Sequence, residues 1–220
     1  MAAQPDAPAP RGYTMRARQE RVDQTRLRIT EATMRLHEQI GPAATTVSAI
    51  ADLAGVTRLT VYRHFPDDEA LVRACSAHWR ALHPRQDSAA WASIDDPLER
   101  LRTALSDTYT WARGAAPMMT KIYRDLHVMP DFVGQFLSQD QQSRVAILSK
   151  GFRAPGRKTQ RLHAALAHAL DFRTWHSLCI LGGLRDDEAI ELMLATVSAA
   201  VQPPAPEPRS TSARVPRPNS

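Results

Sequence analysis

Lysine is nearly missing from this chain. Only Lys121, Lys150 and Lys158 stand among its 28 basic residues, so its cationic surface is one of arginine. Arginine forks phosphates and guanine edges where lysine offers a point charge. A coding sequence biased towards Arg, Ala and Pro codons gives the same usage, however, and the count alone names no partner. Cysteine is scarcer still. Cys75 and Cys179 form neither a metal-binding spacing nor a disulfide framework, and two such thiols suit a reducing compartment. No apolar run reaches the roughly 20 residues of a membrane-spanning helix, and residues 1–10 lack the apolar stretch of a secretory signal. The chain therefore reads as cytoplasmic, with no membrane partner. Also missing are a glycine-rich phosphate loop, a serine nucleophile elbow and a kinase signature. His163, His168 and His176 do not share one face at metal-ligand spacing. His168 with Asp171 can orient an imidazole, but no nucleophile accompanies them. Neither catalytic residue, cofactor nor metal is expected.

What is present is ordinary for a globular protein, with 43% hydrophobic and 23% charged residues. A net charge of +5 permits an anionic partner. The 16 prolines crowd the ends, where residues 1–18 and 202–220 read as disordered tails. Between them apolar residues recur every three or four positions and strand alternation is almost absent, which predicts an all-α fold.

A first helix is predicted over 23–40, with Ile29, Ala32, Leu36 and Ile40 on one face and Gly41-Pro42 as its stop. Thr46 is placed to cap a short helix carrying Ile50, Ala51 and Leu53. Thr57 caps the next, which carries Val61, Tyr62 and Phe65, and Asp67 caps a fourth running towards Trp79. Residues 84–96 read as a link. Longer helices follow over 97–113, 118–128, 131–151, 159–181 and 187–201, separated by Gly and Pro.

Two short helices cornered at Gly55 make the arrangement that sets a helix in the major groove. The outward residues of the second are Thr57, Arg58, Leu59, Thr60, Tyr62, Arg63 and His64. Hydroxyls, guanidiniums and an aromatic edge facing solvent suit phosphates and base edges, and Leu59 suits thymine methyls. A plain three-helix bundle with a polar surface would show the same periodicity.

The segment from Thr46-Val47-Ser48-Ala49-Ile50-Ala51 through Gly55-Val56-Thr57 to Val61-Tyr62-Arg63-His64-Phe65-Pro66 closely resembles the signature of the TetR family of transcriptional regulators. The likeness extends over residues 21–74, with Arg26, Ile29, Ala32, Leu36 and Gly41 in register before it and Glu69 and Leu71 after it. The resemblance implies an N-terminal helix-turn-helix DNA-binding domain (19–78) and a helical effector-binding and dimerisation domain (84–201). It assigns phosphate contacts to Thr46, Thr57, Thr60, Tyr62, Arg63 and His64, and places Arg58, Leu59 and Thr60 nearest the bases. Two positions depart from the family pattern: Asp68 stands where many relatives carry lysine near a phosphate, and Leu59 where they carry glycine or alanine. Between residues 16 and 65 eight arginines face five acids, concentrated at Arg16, Arg18, Arg21, Arg26 and Arg28. A basic arm over 11–18 that reaches DNA is one reading of that excess, and an unstructured solvated extension is the other.

By the same resemblance the second domain holds a small-molecule effector. Its candidate wall is the aromatic and thioether surface of Trp111, Met119, Tyr123, Phe132, Phe136, Phe172 and Trp175, with His127 and His168 as polar members. Such residues at helical spacing also build ordinary core. The last helices are expected to pair across a homodimer through Leu170, Leu178, Leu181, Ile190, Leu194 and Val197, with burial inside the protomer as the alternative. The function implied is a repressor bound as a dimer to a double-stranded, pseudo-palindromic operator and released by a small molecule. The alternatives are a ligand-independent activator or architectural DNA-binding protein and, from another class, an all-helical enzyme.

Overall fold

The computed structural model describes residues 11–201, and every regular element among them is helical. The first helix, α1 (Arg11–Gln39), is 29 residues long and spans about 43 Å. It is much longer than 23–40, because residues 11–18 join the helix instead of forming a disordered arm. The reason is local: Met, Ala, Gln, Glu and Arg are strong helix formers. Arg16 Nε sits 3.1 Å from Glu20 and Gln19 donates to Asp23 at 3.0 Å, each one turn on. Residues 1–10 and the expected tail over 202–220 lie outside the described residues.

Helix α2 (Val47–Ala54) starts where Thr46 accepts a hydrogen bond from Ala49 N–H at 3.2 Å. Gly55 turns the corner with φ 65° and ψ 43°, a left-handed conformation that suits glycine. Helix α3 (Arg58–His64) is capped by Thr57, and α4 (Asp68–Leu82) by Asp67, which accepts from Ala70 N–H at 2.7 Å. Ile29, Ile50, Ala51, Val61, Phe65 and Leu71 close a small core between these four helices.

The link over 84–96 is not free. It holds a one-turn helix, α5 (Ser88–Trp91), whose Trp91 is 2% exposed and donates to Asp107 at 2.8 Å. The buried Arg100 guanidinium ties the same segment down through Ile94 and Lys150 carbonyls. Helix α6 (Pro97–Asp125) then runs unbroken through Gly114 and Pro117, where a break was predicted. A mid-helix proline costs about 3 kcal/mol. Pro117 lies on the solvent side, while the adjacent Met118 and Met119 are buried at roughly 1.5–3 kcal/mol each. Packing therefore outweighs propensity here.

A 3-10 turn (Leu126–Val128) leads into α7 (Asp131–Leu148), followed by α8 (Arg157–Leu170). The single helix expected over 159–181 is divided at Asp171. That residue is extended (ψ 132°), and its carboxylate accepts from Arg173 N–H at 2.7 Å, capping the short α9 (Phe172–Trp175). A π-turn over His176–Leu181 and Gly182 closes this region before α10 (Asp186–Val201). Leu101, Leu105, Tyr109, Leu166, Trp175 and Val197 anchor the larger second core. No described helix is long and apolar enough to cross a membrane.

The apolar stripe of α10 packs inward. Ile190, Leu194 and Val197 are buried in the protomer's own core, and Leu170 is buried beside the α8–α9 break. Leu178 is half-buried, and Leu181, at 75%, is openly exposed. Burial within the protomer, not an open dimer face, accounts for four of those six residues. The outward face of α10 carries Leu192, Ala195, Thr196 and Ala199 instead.

Candidate DNA-reading surface and interior cavity

All eight residues expected to meet DNA lie at the surface of the α2–α3 unit. Thr46, Thr57, Arg58, Leu59, Tyr62 and Arg63 are exposed, and Thr60 and His64 are half-exposed. Leu59, 76% exposed, projects from the first turn of α3, uncovered among the described residues. Thr57 and Thr60 occupy each other, their hydroxyls 3.0 Å apart, because Thr57 is also the cap of the helix. The end of α3 is held from α1: Arg26 donates to the His64 carbonyl at 2.5 Å and stacks 4.1 Å above the Phe65 ring. Partial burial, then the charges of Arg63 and Arg26, lowers the His64 pKa. Asp68 and Glu69 open α4 beside this surface, where the helix N-terminus stabilises them.

Two adjoining cavities lie between the helices. One of about 280 Å³ is walled by Trp79, Met118, Met119, Ile122, Phe132 and Phe136, with His37 and Cys75 at its α1–α4 side. Burial pushes the Cys75 thiol up to about 12 and the His37 imidazole down to about 4, so both are neutral near pH 7. Their Sγ and Nδ1 are 3.9 Å apart. The second cavity, of about 200 Å³, is more polar: Tyr123, Phe172 and Trp175 share it with Thr108, Asp140 and Arg144. Arg85, Trp111, Leu137 and Asp140 line both. Tyr123 stacks on Phe172 with centroids 5.5 Å apart, and Trp111 meets Trp79 edge-on at 6.0 Å.

Seven of the nine candidate effector residues thus converge on these cavities: Met119, Phe132 and Phe136 on the first, Tyr123, Phe172 and Trp175 on the second, and Trp111 on both. His127 lies on the exposed 3-10 turn, outside both linings. His168 faces Thr174 Oγ1 at 3.2 Å, because the break at Asp171 turns it away from Trp175. Arg85, Thr108, Asp140 and Arg144 were missed by sequence reasoning. A charged residue on a mostly polar helix such as α7 carries no signal until its neighbours are known.

The cavities adjoin the point where the two cores meet. At the end of α6, buried Asp125 accepts from the backbone N–H of Ala43 at 3.0 Å, and Arg124 donates to the Ile40 carbonyl at 2.9 Å. The Arg124 guanidinium on the Asp125 carboxylate holds that acid down at about 2.

A solvent-facing helix set on a glycine corner, backed by a helical domain with an interior cavity, defines a helix-turn-helix protein of two-part construction. Residues 29–75 match the model of bacterial regulatory proteins, tetR family. Over 138 residues the chain is 33% identical to the HTH-type transcriptional regulator TtgR of Pseudomonas putida, a match that covers 61% of this chain and 64% of that protein. The chain therefore spans less than two thirds of that relative's length. In fold it is similar to a TetR family transcription regulator from Marinobacter aquaeolei, with a TM-score of 0.52 and 21% identity over 83% of this chain and 98% of that one. A TetR transcription regulator from Haloarcula marismortui gives a TM-score of 0.50 with 19% identity over 81% of this chain and 96% of that one. Residues 29–75 are thus similar to the N-terminal segment of the TetR family.

Proposed function

We propose that this protein is a cytoplasmic repressor that holds a pseudo-palindromic DNA operator as a homodimer and releases it when a small molecule fills the interior cavity. The carrying observation is the outward face of α3. Arg58, Leu59, Tyr62 and Arg63 stand exposed with no intramolecular role for the leucine, which is how a helix that reads a groove is built. Two copies with half-sites one helical turn apart would set their α3 helices about 34 Å apart. The outward faces of α8 and α10, with Ala164 on the one and Leu192, Ala195 and Ala199 on the other, supply the small apolar surface for that pairing.

The cavity touches α1 through His37 and α4 through Cys75 and Trp79, the two helices that carry the reading unit. A ligand that spreads these walls moves α4 against the Asp125–Ala43 tie and changes the separation of the recognition helices. A coupling of about 1–3 kcal/mol is enough to alter DNA affinity five- to 150-fold. The test is fluorescence anisotropy of a duplex selected by the protein, repeated across a chemically diverse library of small molecules. Release by a compound that also raises the melting temperature supports the reading; a library that stabilises the protein yet leaves DNA affinity unchanged overturns it.

A further inference from the structure

We propose that the two adjoining cavities form one site for an amphipathic organic anion, its carboxylate held by Arg144 and Arg85 and its apolar body lying along the Met119–Phe132 wall. This rests on reading the cavity as the effector site and specifies the ligand's class.

Arg144 is the central observation. It sits in the interior at 6% exposure, and its Nε lies 3.5 Å from Asp140 Oδ2. Among the described residues none of its donors makes a hydrogen bond. Asp140 is already engaged, since the same Oδ2 accepts from Arg85 at 2.7 Å. Two arginines thus share one carboxylate, and the Arg144 donors, which border the cavity, are open to an anion that can complete them. Thr108 adds a second open group on the same cavity: its Oγ1 is buried and has no partner among the described residues.

The charge around the space agrees. Arg80, Arg85, Arg144 and Arg173 line the two cavities against Asp140 and Asp171. Arg173 is closed on Asp171 at 2.9 Å, so the uncompensated charge belongs to the Arg85–Asp140–Arg144 group and Arg80. Arg85 and Arg80 lie flat on Trp111 and Phe136, at 3.8 and 4.4 Å from the ring centroids, which leaves guanidinium edges free for a ligand. The neighbouring cavity, walled by methionine and aromatic side chains, fits the apolar body. Polar head and apolar tail therefore fall to adjoining compartments joined at Trp111 and Arg85. Arg85 stands just beyond the end of α4, so an anion that draws it from Asp140 acts directly on the helix behind the reading unit.

The full chain is titrated without DNA, following tryptophan fluorescence. Octanoate and 4-butylbenzoate are compared with 1-octanol and 4-butylbenzyl alcohol, the neutral compounds of the same skeletons. Each carboxylate is expected to bind about ten- to hundredfold tighter than its alcohol, the worth of charge-assisted hydrogen bonds. Arg144→Gln should erase that preference while binding of the alcohols persists. Asp140→Asn should do the opposite and tighten the carboxylates, because it frees both arginines; a purely structural role would weaken binding in both variants. If Arg144→Gln fails to fold, Asp140→Asn carries the test alone. Equal affinity for acid and alcohol, no binding of any of the four, or a carboxylate preference that survives Arg144→Gln overturns the inference. The outcomes separate it from the effector reading. Carboxylate binding that leaves DNA affinity unchanged sinks only the latter, and alcohols that bind equally well and release DNA sink only the former.

Discussion

Asp125 reaches across 82 positions of sequence to the backbone N–H of Ala43, at 3.0 Å, and so ties the end of α6 to the turn that precedes α2. Asp125→Ala removes a buried carboxylate acceptor from the Ala43 N–H and a partner from Arg124, and is expected to cost about 1–3 kcal/mol of stability. It should also uncouple the two cores, so that a ligand that stabilises the protein changes DNA affinity less than in the wild type. Urea unfolding and anisotropy titrations with and without ligand check both. An unchanged ligand response would remove this contact from the coupling route.

The amino-terminal extension of α1 carries Arg16, Arg18 and Arg21, exposed on a helix that the reading unit does not bury. Deleting residues 1–18 should weaken DNA binding and flatten its salt dependence, since each phosphate contact adds about 0.9 to the log–log slope. Equal slopes for truncated and full chains would show that the extension does not touch DNA.

Acid should weaken the fold through His37. The unfolded ring takes up a proton near pH 6.5, but burial delays protonation in the fold to about 4, even with Asp125 pulling the other way. The Cys75 thiol facing it stays neutral. In that window the unfolded chain binds the extra proton, so the stability due to the neutral ring is full above 6.5 and falls as pH drops towards 4. The loss is on the order of 3 kcal/mol when complete. His37→Phe should flatten the stability curve between about pH 7 and pH 5. Parallel curves for the two proteins would contradict this.

The two faces of α10 should answer differently to substitution. Leu194→Ala opens a hole in the protomer and should cost about 2–5 kcal/mol. Ala195→Glu, on the outward face, should leave the protomer folded but place like charges across the proposed dimer contact. Sedimentation of Ala195→Glu as a monomer supports pairing through α10; an intact dimer places the interface elsewhere.

Much of this architecture was legible in the sequence, for reasons that are local. Thr46, Gly55, Thr57 and Asp67 act within a few residues of themselves, so their caps and corner can be read directly. Local rules failed where distant contacts decide. Burial of Met118 and Met119 carries α6 through Pro117, and the inward packing of Ile190, Leu194 and Val197 depends on neighbours that periodicity does not name. Aromatic residues marked the apolar wall of the cavity, but its charges were not marked. Arg85, Asp140 and Arg144 gain meaning only when a loop and α7 bring them together.

The most direct test of the central claim is selection of random double-stranded oligonucleotides by the full chain and by Arg58→Ala, with the bound pool sequenced. Recognition by paired α3 helices predicts one recurring pseudo-palindrome with half-sites about one helical turn apart, lost or relaxed at a matching position in Arg58→Ala. A folded protein that enriches no motif, or one that enriches the same motif with and without Arg58, would contradict the assignment of α3 as the DNA-reading element.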